Sequence, residues 1–262
     1  MNKTVSILGC GWLGKPLAIK LIAEGYTVKG STTSISKFNE FKNLGIAPYL
    51  ITLENISVRI NEFLASEILV VALPSKNYDG FKKLINYIEK SSIKKVLFIS
   101  STSVYISNNE LVTEASPLQN VPLVSIENLF IENKFFKATI VRFAGLFGYD
   151  RKPGNFFKNG RKIPNPEGFV NMIHQDDCVL ILEKIIKNNY WNELFNACAG
   201  THPKRRDYYI KTTLDINNEP PVFIETEHTV FKIISNKKLK AVLDYKFKYG
   251  NLMNINYENF DS

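Results

Sequence analysis

Six residues near the start of the chain, Gly9-Cys10-Gly11-Trp12-Leu13-Gly14, most tightly limit what it can fold into. They follow a short apolar run, Thr4–Leu8, and precede a helical pattern at residues 16–24 that Gly25 stops. In a G-x-G-x-x-G turn between a strand and a helix, each glycine has a separate function. Gly9 permits the tight turn, Gly11 lets the backbone approach a pyrophosphate, and Gly14 lets the helix pack close on the strand. The helix N-terminus then offers N–H groups and a partial positive charge to phosphate. In isolation this motif is a weak signal. At the head of a full strand–helix–strand unit it predicts dinucleotide binding, with Gly9, Gly11, Trp12, Leu13 and Gly14 as the contacts.

The rest of the chain continues the same alternation. Strands are predicted at residues 26–30, 47–53, 67–73, 95–100, 138–143 and 194–199, with helices at 36–43 (Ser36 as N-cap), 55–65, 78–90, 123–132 and 176–187. Residues 67–73 are almost wholly apolar, as expected of a central strand buried on both faces. Residues 101–120 read as loop-rich, and residues 151–168, with three glycines and three prolines, as an irregular excursion. A helix at 205–213, a strand at 221–224 and a basic C-terminal segment complete the chain. The expected fold is therefore α/β, a Rossmann-type doubly wound parallel sheet with a small C-terminal substrate-side subdomain. Residues 1–148, with about 174–199, would form the NAD(P)-binding domain; about 149–173 and 200–262 would form the subdomain.

Composition excludes several classes. No apolar stretch in the 262 residues approaches the roughly 20 needed to span a bilayer. Met-Asn-Lys-Thr leads directly into a strand, so no signal peptide is expected. Cys10, Cys178 and Cys198 are far apart, lack metal-ligand spacing and lie in or beside apolar runs. Buried thiols in a reducing cytoplasm, and no metal, are the expectation. The net charge of +8 comes from scattered lysines such as Lys82-Lys83, Lys94-Lys95 and Lys237-Lys238, a solvated surface rather than a nucleic-acid stripe.

The second strand bears on which dinucleotide is taken. An NAD site usually carries Asp or Glu about 20 residues after the loop, holding the ribose 2′-hydroxyl. Between Gly25 and Asn39 there is no acidic residue; Ser31-Thr32-Thr33-Ser34 and then Lys37 stand there instead. Hydroxyls and an ammonium suit a 2′-phosphate, so NADP is expected over NAD, through Thr32, Thr33 and Lys37.

Four further stretches carry a family pattern: Val70-Val71-Ala72-Leu73-Pro74; Phe98-Ile99-Ser100-Ser101-Thr102-Ser103-Val104-Tyr105; Val141-Arg142-Phe143-Ala144-Gly145-Leu146-Phe147-Gly148; and Asn171-Met172-Ile173-His174-Gln175-Asp176-Asp177. With the glycine loop, and with residues 235–239 and 243–245 near the C-terminus, they resemble the short-chain dehydrogenase/reductase superfamily. The likeness is to its extended, NAD-dependent epimerase/dehydratase-like branch and covers nearly the whole chain. It implies that Ala72, Leu73, Pro74, Ser100, Phe143 and Gly145 join the cofactor contacts. Ser101 would hold the catalytic serine position, or else be a structural serine at a strand end. Ser103, Tyr149 and Asn155 would lie on the substrate side. A dinucleotide and a small-molecule substrate are the implied partners, with neither nucleic acid nor membrane, and homodimers are common in the family.

The chain departs from that pattern at the catalytic pair. Family chemistry uses a tyrosine as acid–base and a lysine four residues later, on the helix after the fifth strand. Aligning Glu127 with that helix's usual glutamate puts Gln119 and Leu123 at the two positions. No tyrosine occurs from Ile106 to Gly148, and from Val96 to Phe136 the one Lys, Arg or His is Lys134. The diphosphate-gripping arginine of nucleotide-sugar enzymes is matched by Val170, which argues against a nucleotide-sugar epimerase. The expectation is an atypical, NADP-binding member acting on a small carbonyl or sugar substrate; the alternative is a non-catalytic dinucleotide-binding sensor or scaffold. In an active enzyme the proton would come from water, Tyr105 or Tyr149. Asp176 and Asp177 are expected to cap the following helix, and His174 to pack under the excursion. Phe143, Phe147, Tyr149, Phe156 and Phe157 would be core or wall the nicotinamide.

Overall fold

The computed structural model describes residues 3–54, 56, 59–158 and 160–257. In chain order the elements are β1 (Thr4–Leu8), α1 (Gly14–Ala23), β2 (Thr27–Thr32), α2 (Phe38–Asn43), β3 (Ile46–Leu50), α3 (Ile60–Phe63), β4 (Ile68–Val71), α4 (Tyr78–Glu89), β5 (Lys95–Ser101), β6 (Leu111–Val112), α5 (Pro122–Ile131), β7 (Lys137–Phe143), β8 (Gly145–Phe147), β9 (Ile163–Pro164), β10 (Met172–His174), α6 (Gln175–Lys187), β11 (Leu194–Ala197), α7 (Arg205–Leu214), β12 (Phe223–Ile224), β13 (Ile233–Ile234) and α8 (Lys237–Leu243). Seven strands form one sheet in the order β11-β7-β5-β4-β1-β2-β3, with parallel registers from β3 through β5. The strand order reverses direction beside β1, the topological switch point at which open α/β sheets bind ligands. This is the expected Rossmann-type doubly wound fold. No helix of the described residues is long and apolar enough to cross a membrane.

The chain divides into two compact units, the first comprising residues 1–104, 119–142 and 179–195. Its centre is β4, whose four residues are all buried. Asn77 caps α4 by accepting the Gly80 N–H at 2.9 Å, and Phe81, Leu84, Ile85 and Ile88 follow at helical spacing along one buried face. Phe98 and Phe130 stack there with ring centroids 4.5 Å apart. A charged group lies inside this unit: Glu127 and Arg142 have side chains only 1% and 3% exposed. Arg142 Nε lies 3.0 Å and 3.2 Å from the two Glu127 carboxylate oxygens, and its Nη2 donates to the same carboxylate. The Ser100 hydroxyl donates to Glu127 as well. One carboxylate thus joins β5, α5 and β7.

The second unit comprises residues 105–118, 143–178 and 196–262. It contains three two-stranded ladders, β8 with β10, β9 with β12 and β6 with β13, over a core including Phe147, Ile163, Tyr208, Leu252 and Tyr257. His174, fully buried, packs against Phe147, Tyr149 and Tyr249, the last with centroids 3.9 Å away. That is the turn after β8 and the C-terminal segment rather than the excursion under which it was expected. Asp176 and Asp177 stand in the first turn of α6, where their charge favours the helix dipole as expected, and their carboxylates also take partners from outside the helix. Asp177 accepts from the Tyr245 hydroxyl and from the N–H groups of Lys248 and Tyr249, tying down the C-terminal segment. Asp176 accepts from the Tyr149 hydroxyl at 2.7 Å and from Lys248 at 2.8 Å.

Several boundaries differ from expectation. β2 runs on to Thr32 because Ser31 and Thr32 still pair with Tyr49 and Leu50. Ser36 is not an N-cap; residues 35–37 form a 3-10 turn, and the Ser36 hydroxyl bonds that of Ser34. The helix expected at 55–65 shortens to α3: Ile56, Arg59, Leu64 and Ala65 are not helical, and Asn55, Ser57 and Val58 lie outside the described residues. β6 was hidden in a loop-like stretch because its partner, β13, comes from near the C-terminus.

Two predictions follow from these buried groups. Glu127→Leu should destabilise the fold by about 3–5 kcal/mol, because the buried Arg142 loses its carboxylate counter-charge. The double variant Glu127→Leu/Arg142→Met should recover much of that loss in urea unfolding. For His174, burial pushes the imidazole down to about 4, with Lys248 adding to the effect and Asp176 opposing it. The folded value lies below the ordinary one near 6.5, so the unfolded chain binds the proton first. Stability should therefore fall as pH drops from about 6.5 toward 4. His174→Asn, which keeps an acceptor for the Asp176 N–H, should flatten that slope in melts taken across the range.

Candidate functional site

The glycine loop leaves β1 at Leu8, and neighbouring backbone fixes its course. Gly9 has φ +93°, and a Cβ there would lie 2.5 Å from the Ala72 carbonyl oxygen and 2.9 Å from Leu73 Cδ2. A Cβ on Gly14 would lie 2.4 Å from the Gly9 carbonyl oxygen. Both positions therefore exclude a side chain. Gly11 differs, since a Cβ there would meet nothing within 4 Å. It is the exposed glycine of the three, with backbone open to an approaching ligand. Trp12 is half-buried, and Leu13 is buried at the N-cap of α1, where no side chain bonds the helix end and no acid stands in the first turn. These residues fit a pyrophosphate: an open glycine backbone at the uncapped positive end of a helix. Cys10 adds no reactivity, because burial pushes its thiol up to about 12.

The loop is anchored to the end of β2. Gly9 N–H donates to the Ser31 hydroxyl at 2.8 Å, and Cys10 N–H donates to the Ser31 carbonyl at 3.0 Å. Thr32 is buried, and its hydroxyl accepts the Ser34 N–H at 3.2 Å in a local turn. Thr33 and Lys37 are exposed beyond it. One acid does stand here. Glu40, on α2, pairs with Lys15 in the first turn of α1 at 2.7 Å. The Lys15 ammonium holds the Glu40 carboxyl below the usual carboxylate range. Glu40 falls one residue past the acid-free stretch, and only the fold brings it to Lys15.

Ala72, Leu73 and Pro74 follow directly on β4. At the end of β5, Ser100 is buried and committed to Glu127, whereas Ser101 is half-buried and its hydroxyl accepts the Ser103 N–H at 3.1 Å. Ser103 is exposed, and its carbonyl accepts from the Gln119 carboxamide at 3.1 Å. Leu123 packs against the hydrophobic core. The two positions expected to match a catalytic tyrosine and lysine therefore hold a loop-bracing amide and a core side chain.

The other expected residues lie in the second unit, each with contacts inside it. Phe143 is buried. Gly145 donates its N–H to the Asn171 carbonyl, and a Cβ there would lie 2.5 Å from Met172 Sδ. Tyr149 is bonded to Asp176, a contact that pushes its hydroxyl up to about 12. Tyr105 is fully buried with its hydroxyl on Asn196. Asn155 accepts from the Asn218 amide at 3.1 Å, and Asn218 lines a cavity of about 500 Å³ with Phe157, Arg161 and Thr213. Among the described residues no cluster of His, Cys, Asp or Glu could hold a metal ion.

No model of a known protein family matches the chain. It is 29% identical to Protein YeeZ of Escherichia coli (strain K12) over 265 aligned positions, covering 94% of this chain and 96% of that protein. A short-chain dehydrogenase/reductase superfamily protein from Agrobacterium tumefaciens with bound NAD superposes with a TM-score of 0.78 at 16% identity, over 95% of this chain and 93% of that one. The UDP-glucuronic acid 4-epimerase from Bacillus cereus in complex with NAD superposes with a TM-score of 0.79 at 17% identity, over 98% and 97%. At these identities the structural likeness establishes the Rossmann-type fold over nearly the whole chain.

Proposed function

We propose that this chain is an NADP-binding, atypical member of the short-chain dehydrogenase/reductase superfamily, of the epimerase/dehydratase-like branch, acting on a small carbonyl or sugar substrate. The observation that carries the reading is the contrast within the loop. Gly9 and Gly14 are locked against backbone, while Gly11 opens on solvent at an uncapped helix end. In this reading Gly9, Gly11, Trp12, Leu13 and Gly14 hold the pyrophosphate. Exposed Thr33 and Lys37, with Thr32 shaping the turn, receive the 2′-phosphate. Ala72, Leu73, Pro74 and Ser100 of the first unit wall the nicotinamide half, and Phe143 and Gly145 are assigned to the cofactor by the resemblance alone. Ser103 of the first unit and Tyr149 and Asn155 of the second are assigned to the substrate, and the cavity lined by Asn218, the partner of Asn155, supports that role for the second unit.

The cofactor, when bound, supplies hydride transfer. The Ser101 hydroxyl orients and polarises the substrate oxygen. Tyr105 is sealed in the core and Tyr149 is made a weaker acid by Asp176, so the proton comes from water. A second reading, a non-catalytic dinucleotide-binding sensor or scaffold, is favoured by Gln119 and Leu123 at the positions of the catalytic pair.

Calorimetric titration with NADPH and with NADH tests the first claim; tighter NADPH binding is expected, and binding of neither would overturn it. Gly11→Val should weaken the dinucleotide by about tenfold or more while leaving the melting temperature near that of the parent, because the added carbons fill ligand space alone. Gly14→Ala should instead lower the melting temperature. On a carbonyl panel with NADPH, Ser101→Ala should reduce kcat/KM by about 10²-fold or more. Absence of turnover in the parent protein, with NADPH still bound, would favour the sensor reading.

A further inference from the structure

Lys15 and Glu40 come from different helices and meet beside the glycine loop. Lys15 stands immediately after Gly14, in the first turn of α1, and Glu40 is in the first turn of α2. Their side chains are 41% and 45% exposed and their charged atoms are 2.7 Å apart. Ser31 holds the glycine loop against the end of β2, so this contact spans the region between the pyrophosphate turn and the segment carrying Thr33 and Lys37. Lys37 also acts on Glu40 through space, so two ammonium groups favour the charged carboxylate, Lys15 by direct contact and Lys37 more weakly. An exposed ion pair of this kind contributes little to stability and is readily exchanged.

We propose that Lys15 and Glu40 form a charge-exchange pair that sets the choice of dinucleotide: Lys15 leaves Glu40 and takes the 2′-phosphate of NADP, together with Lys37. This rests on the NADP reading above and adds the residues that enforce it. A phosphate monoester carries about −1.5 to −2 charge near neutral pH and three acceptor oxygens, so it competes strongly with a single carboxylate for an ammonium. Glu40 has a second effect. Without the phosphate it occupies Lys15, so NADH gains nothing from that lysine. With the phosphate, Glu40 becomes the nearby like charge that limits NADPH affinity. Lys15 is thus the attractive element of the specificity and Glu40 its restraint.

Calorimetry on the full chain with NADPH and NADH as probes, using Lys15→Gln and Glu40→Gln, tests this. Lys15→Gln should raise the Kd for NADPH by about tenfold and leave NADH within about twofold. Glu40→Gln should tighten NADPH by about threefold, with NADH unchanged. The gap between the two nucleotides in the parent should narrow with added salt, since screened charges carry it. Melting temperatures of both variants should match the parent, which separates binding from folding. Unchanged NADPH binding by Lys15→Gln in a parent that prefers NADPH would overturn the exchange while leaving the NADP reading intact. Weakened NADH binding by Glu40→Gln would also overturn it, showing Glu40 to be the acceptor for a ribose 2′-hydroxyl. A parent that prefers NADH or binds neither nucleotide would overturn both.

Discussion

The carbonyl oxygen of Ala72 and the turn at Gly9 stand so close that no side chain fits between them, and the crevice takes its form from that contact. Ala72 cannot move aside: its N–H donates to the Leu8 carbonyl at 2.8 Å, and the strand before it is buried along its length. The chain leaving β1 must therefore turn at Gly9 with a positive φ, which a residue bearing a Cβ adopts only under strain. Once Gly9 has turned, its own carbonyl lies against Gly14, and α1 starts on top of the sheet rather than beyond it. The helix end is then left with no side-chain cap, because the residues that reach it, Leu13 and Gly14, have none to offer. The close packing and the uncapped helix end thus share one cause here.

A second constraint lies beneath the neighbouring strand ends. Glu127 is almost inaccessible to water, and burying a carboxylate is costly unless its oxygens are satisfied. Arg142 and Ser100 satisfy them from the strands on either side of the helix position. The consequence reaches the site. The Ser100 hydroxyl is committed to Glu127, whereas the half-buried Ser101 carries no such buried bond and accepts only the Ser103 N–H among the described residues. The serine run at the end of β5 therefore divides its bonds, one hydroxyl holding the sheet to the helix and the next accepting the Ser103 N–H in a local turn.

The parts of this architecture that depend on near neighbours were legible in the sequence. The glycine loop, the wholly apolar β4 and the helical period of α6 each state their structure within a few residues. What required the fold was pairing across distance. Glu40 meets Lys15 only because α2 folds back beside α1. Ser31 reads as a turn residue but remains in β2 because β3 still pairs with it. Asp176 and Asp177 look like helix caps, and local rules assign them so, yet three groups from the C-terminal segment claim Asp177 first. His174 is misplaced by local reasoning for the same reason, since Tyr249 packs on it from far along the chain.

The charge of the crevice shows why counting acids along one strand is an incomplete guide to a nucleotide site. The stretch from Gly25 to Asn39 is free of carboxylates, yet Glu40 lies one residue beyond it and pairs with Lys15, and Lys37 acts on it through space. In the proposed exchange these three side chains together would decide how a 2′-phosphate is received. Neither lysine belongs to a basic cluster in the sequence, and the net +8 of the whole chain is too diffuse to mark them. They act together because the Ser31 bonds bring the first turn of α1 against the end of β2. Local charge at this site is therefore a property of the Rossmann turn, and only secondarily of composition.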